Sequence, residues 1–168
     1  MNLFQALLDG IIIGTIFNAG IFYLMRLMPR GILHMLPPRF RAGAPAQPRA
    51  EIARFYKLYL PQLAFLAFVM AVNGVRVYRG MQVGFWDLFW HGYIVALFMN
   101  FGDAFLLDLL EIHTNRAFYA DAFGIEEERL RAGNFFRKVT FREHFLLWPL
   151  IICPIIGCLF AIVVGSLI

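Results

Sequence analysis

The residues best suited to chemistry in this chain lie inside a greasy stretch. Asn100, Asp103, Asp108 and Glu111 all fall within NFGDAFLLDLLE, a segment with no Lys or Arg. A carboxylate at the centre of a bilayer costs about 2.5–3.5 kcal/mol on insertion scales and far less near the headgroups, so an acid there needs a partner, a proton or a cation. On an α-helix, at about 100° per residue, Asn100, Asp103 and Glu111 fall within an arc of about 80°; Asp108 sits on one flank and widens the arc to about 140°. A second group enters from REHF, where His144 opens the last apolar run.

Three chemistries suit these residues. Carboxylates with an imidazole ligate divalent metals, and Asp103, Asp108, Glu111 and His144, with His113 nearby, form such a donor set. Asp103 assisted by Asn100 suits proton or cation handling. The same acids also suit plain ion pairs that lock helix register, with Arg26, Arg30, Arg54 and Lys57 as partners from the first two helices. The spacing matches neither H-E-x-x-H nor a Glu-x-x-His pair on one helix, so it names no metalloenzyme motif. His91 and His144 fall at different depths, which argues against a bis-His haem.

The elements that must position these groups follow from composition. Of 168 residues, 61% are hydrophobic and only 15% charged, and the mean hydropathy is +0.68. A soluble fold of this size cannot bury that much apolar surface, and a hydrocarbon core of about 30 Å needs about 20 helical residues. Four runs meet that length, over about 3–28, 56–77, 84–112 and 144–168, with connections at 29–55 and 113–143. Helices are the expected spanning elements because lipid leaves no unpaired backbone. The expectation is an all-α integral membrane bundle of four transmembrane helices in one domain.

Charge sets the direction. Seven of the 15 Lys and Arg follow the first run, six follow the third and two follow the second. By the positive-inside rule the first and third connections face the cytoplasm and both termini face outside, in a bacterial-type cytoplasmic (inner) membrane. The net charge of +4 therefore reports orientation rather than nucleic-acid binding. No positive charge precedes the first run, which argues against a signal peptide.

Other polar positions read as packing devices. Gly10, Gly14 and Asn18 lie one turn apart and let helices approach closely. Gln62 and Asn73 suit interhelical hydrogen bonds, Pro61 is expected in a first helical turn, and Asp9 is expected at the outer interface. Cys153 and Cys158 point about 140° apart, which disfavours a disulfide. The Pro- and Ala-rich 29–55 connection reads as an extended linker.

With NFGDAFLLD on the third helix and REHF entering the fourth, the chain resembles small four-span bacterial membrane proteins that carry an N-x-x-D-x4-D helix and an H-F entry to the last helix. The matching residues are Asn100, Asp103, Asp108, His144 and Phe145. The resemblance implies a bundle in which these residues belong together, and it implies no activity. Two functions are expected to compete. One is a non-catalytic accessory or transport-related component, in a homo-oligomer or larger membrane complex. The other is a membrane-embedded enzyme, with or without a divalent metal, acting on a lipid or lipid-linked substrate at the inner leaflet.

Overall fold

A computed structural model describes residues 2–38 and 40–168, apart from the side chains of Ala132, Asn134 and Lys138. Arg39 and the Lys138 side chain, both counted in the charge asymmetry, lie outside the described residues. Helix dominates, with no strand among the described residues. Four helices are long and apolar enough to cross a membrane: α1 (Leu3–Leu27), α2 (Arg49–Tyr78), α3 (Phe85–Thr114) and α5 (Glu143–Gly165). A shorter helix, α4 (Arg116–Phe123), lies between α3 and α5.

Local signals set the ends. Asn2 caps α1 by accepting from the Gln5 N–H at 3.1 Å, and α1 stops just before Pro29. Asp87 accepts the Gly84 N–H at 3.2 Å in the first turn of α3. Gly124, at φ 68°, closes α4 in the left-handed region that glycine adopts without strain. The helix α2 starts at Arg49, ahead of its apolar run, so Pro61 falls inside the helix rather than in the first turn. There it withholds the N–H owed to the Lys57 carbonyl.

The helix α3 packs closely along both α1 and α5, while α2 is the least buried of the four. Small residues make these approaches possible. A Cβ placed on Gly14 would stand 3.1 Å from the Phe98 carbonyl carbon, and one on Gly157 would stand 2.9 Å from the Phe89 carbonyl oxygen. Phe17, Leu66, Leu88, Val95 and Val164 fill the middle of the bundle. Leu60, Phe65, Phe68, Trp86, Leu150 and Ile162 point outward, more apolar surface than water tolerates in a monomer.

The end of the bundle that carries both chain termini is locked by polar groups. Asp9 is 4% exposed and His91 1%, so both lie inside the bundle. Its Oδ2 accepts from Asn73 Nδ2 at 2.6 Å and stands 3.2 Å from His91 Nε2, while Oδ1 accepts from Gln5 at 2.7 Å. The other ring nitrogen, His91 Nδ1, is 2.9 Å from the Tyr78 hydroxyl, and the ring stacks on Phe160 at 5.1 Å. This cluster joins all four long helices. At mid-depth Gln62 donates to the Phe17 carbonyl at 3.2 Å, tying α2 to α1.

At the opposite end, the connections fold over the bundle. The segment expected to be an extended linker contains a 3-10 turn, Pro29–Met35, and is fastened by Arg30, which reaches Glu51 at 3.2 Å and the Pro45 carbonyl at 3.2 Å. Leu33, Leu36 and Phe40 from it pack with Tyr119, Phe123, Leu130 and Phe135 of the second connection. Burial of these side chains, each worth about 1.5–3 kcal/mol, outweighs the linker-like composition.

Gly14→Leu is expected to separate α1 from α3 and lower the melting temperature by more than about 5 °C. Gly84→Ala, with nothing nearer than 3.9 Å to the new methyl group, should change stability by less than about 1 kcal/mol. Thermal unfolding of both variants in one detergent checks the pair.

Candidate metal centre

The lower half of α3 leaves the α register. From Asp103 to Glu111 its hydrogen bonds run i→i+5, as in the Ile112 N–H bond to the Leu107 carbonyl. Such a helix has roughly 4.4 residues per turn, or about 82° per residue. Measured from Asp103, Asp108 then lies about 50° one way and Glu111 about 64° the other. In an α-helix the corresponding angles are about 140° and 80°. The change of register brings Asp108 beside Asp103 and leaves Glu111 on the opposite side of Asp103, about 114° from Asp108.

Asp103, Asp108 and His144 form one cluster: a carboxylate oxygen from each acid and a His144 ring nitrogen lie within 4.8 Å of one another. His144 is 2% exposed, and its Nε2 is 3.3 Å from Asp108 Oδ2. That same oxygen accepts from Thr140 Oγ1 at 2.8 Å. The Asp103 carboxylate makes no hydrogen bond, and no ion pair within 4 Å, among the described residues.

The orientation of His144 follows from the backbone. The helix α5 is also in the i→i+5 register from Glu143 to Ile152. In that register the N–H owed to the His144 carbonyl belongs to residue 149, which is Pro149 and has none. Asn100 Nδ2 supplies the missing donor at 2.8 Å. A carbonyl only accepts, so this bond fixes the Asn100 amide and turns its Oδ1 toward His144 Nδ1, 2.7 Å away. Nδ1 must therefore carry a proton and donate it. In the neutral ring, Nε2 is left with its lone pair facing the two acids. An acceptor of this kind on the other ring nitrogen is what orients a metal-binding histidine.

The cluster lines a cavity of about 110 Å³ between the four long helices, with Tyr59 contributed by α2, Glu143 at one edge, and Phe55 and Trp148 among the apolar walls. Trp148 stacks beside the His144 ring at 6.5 Å between centroids. The volume suits an ion and a few waters, each taking about 30 Å³. Ligands of one ion bound at about 2.1 Å stand roughly 3–4.2 Å apart, so the three groups need to close by about half an ångström. Three protein ligands leave at least one coordination position facing the cavity.

Glu111 belongs elsewhere. Its Oε1 meets Arg26 Nε at 2.7 Å and the Tyr119 hydroxyl at 2.8 Å, and its Oε2 accepts from Asn115 at 3.0 Å. Glu111 and His113 are thus outside the metal-type cluster. Of the expected basic partners, Arg26 pairs with Glu111 and Arg30 with Glu51, while Arg54 and Lys57 have no acidic partner within 4 Å among the described residues. None of the four reaches Asp103 or Asp108. Asn100 and His144 join as expected, whereas Thr140 was not anticipated, although it precedes His144 by four residues on one helical strip. Asn18 packs as expected: its Nδ2 donates to the carbonyls of Gly14 at 2.7 Å and Met99 at 3.2 Å. Both cysteines are free.

No protein-family model, no curated protein sequence and no solved structure matches the chain.

The Tyr119 phenol lies outside the four long helices and is pushed well above its ordinary range, first by burial and then by its bond to Glu111. Glu111→Gln is expected to lower the pH at which Tyr119 ionises, read by ultraviolet titration. It should also cost about 1–2 kcal/mol of stability, discounted because Arg26 is 38% exposed. Divalent-metal binding should stay unchanged in this variant, in contrast to Asp103→Asn.

Proposed function

We propose that the protein is a multi-pass membrane protein in which Asp103, Asp108 and His144 hold a divalent metal ion near the cytoplasmic interface, for metal-assisted chemistry on a lipid or lipid-linked substrate. The carrying observation is the charge balance of the cavity. Two carboxylates and one imidazole face one another, Glu143 lines the same cavity, and among the described residues no Lys or Arg reaches Asp103 or Asp108. Even a protonated His144 leaves the trio negative if both acids ionise. An uncompensated charge in an apolar interior costs several kcal/mol. A divalent cation removes that cost and uses every donor present.

The cytoplasmic placement rests on the excess of Lys and Arg at the connection end of the bundle. The roles follow from the geometry. Asp103 and Asp108 supply anionic oxygens, and His144 supplies a neutral nitrogen held in the right tautomer by Asn100. Thr140 fixes the Asp108 rotamer. The ion would act as a Lewis acid on a ligand, or lower the pKa of a bound water, at the position open to the cavity. A second reading, a cation-handling accessory or transport component, is favoured by the small cavity, which has room for an ion but not for a whole lipid. Both readings share the metal site, and turnover separates them.

Purified protein in lipid nanodiscs is expected to bind one divalent ion per chain, measured by elemental analysis after equilibrium dialysis. Asp103→Asn and His144→Ala should each weaken binding by more than tenfold. Asn100→Leu, which touches no ion, should weaken it about 10–100-fold. Affinity should fall as pH drops through the range where imidazole and carboxylates take up protons, because protons compete for the same lone pairs. A protein that stays metal-free at millimolar zinc and manganese would overturn the proposal. Turnover of an added lipid that disappears on chelation, and returns with the metal, supports the enzyme over the transport reading.

A further inference from the structure

The metal-type cavity has a wider neighbour. A groove of about 890 Å³ runs along the outer face of α5 and shares Met35, Val139 and Glu143 with the cavity wall. Its floor is Leu146, Leu147, Leu150 and Ile151, and Leu150 is 70% exposed. From Glu143 to Ile151 this floor extends roughly 10 Å along the helix, away from the connection end. Arg142 stands at the head of the groove, exposed and with no acidic partner within 4 Å among the described residues.

We propose that this groove binds a lipid bearing a phosphate headgroup, with its phosphate between Arg142 and the ion at Asp103, Asp108 and His144, and an acyl chain along α5. The inference rests on the metal-site reading and adds the substrate class and the route of entry. A guanidinium presents a planar fork of donors that matches phosphate oxygens, and no described carboxylate lies within 4 Å of this one. The aliphatic floor begins directly below that fork. A water-soluble phosphate would leave the floor unused, and a neutral lipid would leave the guanidinium unused. The shared wall lets the headgroup approach the open coordination position from the side, so the small cavity need hold only the ion and one or two oxygens.

Charge makes the binding conditional. Asp103, Asp108 and Glu143 would repel a phosphate at the shared wall. A bound divalent ion reverses the local field. Headgroup selection is therefore expected only in the metal-loaded protein.

The test uses the full chain in phosphatidylcholine nanodiscs doped with a phosphatidic acid carrying a photoreactive acyl chain, with and without zinc. Crosslinked peptides are mapped by mass spectrometry, and zinc stoichiometry is measured on the same samples. With zinc, labelling should concentrate on residues 146–151. It should fall at least fivefold on chelation, in Arg142→Gln and in Leu150→Trp, and compete with unlabelled phosphatidic acid but not with diacylglycerol. Both substitutions are at exposed positions and should leave zinc stoichiometry at its wild-type value. Labelling spread evenly over the outer faces of α2 and α5, or unchanged in both variants while zinc remains bound, overturns the lipid site and leaves the metal site standing. Displacement of the photolipid by glycerol phosphate as readily as by phosphatidic acid also overturns it, in favour of a soluble phosphate. Absence of zinc from the wild type, with manganese equally absent when it is supplied instead, overturns the metal reading on which the inference rests.

Discussion

Two half-buried carboxylates facing one imidazole, with no guanidinium or ammonium beside them among the described residues, are the constraint around which this bundle is built. Such a group cannot simply be hidden, because removing a charge from water costs more than an ordinary packing contact returns. The other acids near the bundle interior are satisfied: Asp9 by Gln5, Asn73 and His91, and Glu111 by Arg26, Tyr119 and Asn115. The half-buried Asp103 carboxylate has no hydrogen bond or ion pair among the described residues. The fold therefore has the means to neutralise an acid, and no described residue applies them at Asp103.

Backbone irregularity is what assembles the cluster. Both helices that supply it run in the i→i+5 register where they supply it. In α3 that register swings Asp108 next to Asp103. In α5 it leaves the His144 carbonyl without an N–H, because Pro149 occupies the donor position, and Asn100 fills the gap. The same amide then sets the tautomer of His144. One missing proton on Pro149 is thus transmitted, through a carbonyl and an amide, to the lone pair that faces the acids. Wide helical turns recur at functional sites because they re-aim side chains in this way.

The fold was largely legible from composition. Four apolar runs of spanning length, with little charge within them, left few alternatives to four long helices, and the structure has four of that kind. The site was legible in part. Residue types and depth placed Asn100, Asp103, Asp108 and His144 together, but a uniform 100° step admitted Glu111 and pushed Asp108 aside. A step of that size is an α-helix property, and nothing in DAFLLDLLE announces the wider turn. Which carbonyl Pro149 frees depends on the register, and the register is not written in the residue types. Asp9 and His91, 82 residues apart in sequence, were read singly, because their pairing depends on α1 and α3 packing side by side. The 29–55 connection looked like a linker because its Pro and Ala content hides the few anchors, Leu33, Leu36 and Phe40, that hold it down.

X-ray absorption at the zinc edge, on zinc-loaded protein in nanodiscs, reads the proposed centre most directly. A first shell of oxygen and nitrogen at about 2.0–2.2 Å, with outer-shell scattering from a single imidazole that disappears in His144→Ala, is expected of an ion shared by Asp103, Asp108 and His144. A shell of oxygen alone with no imidazole scattering, or a spectrum identical in wild type, Asp103→Asn and His144→Ala, would contradict it.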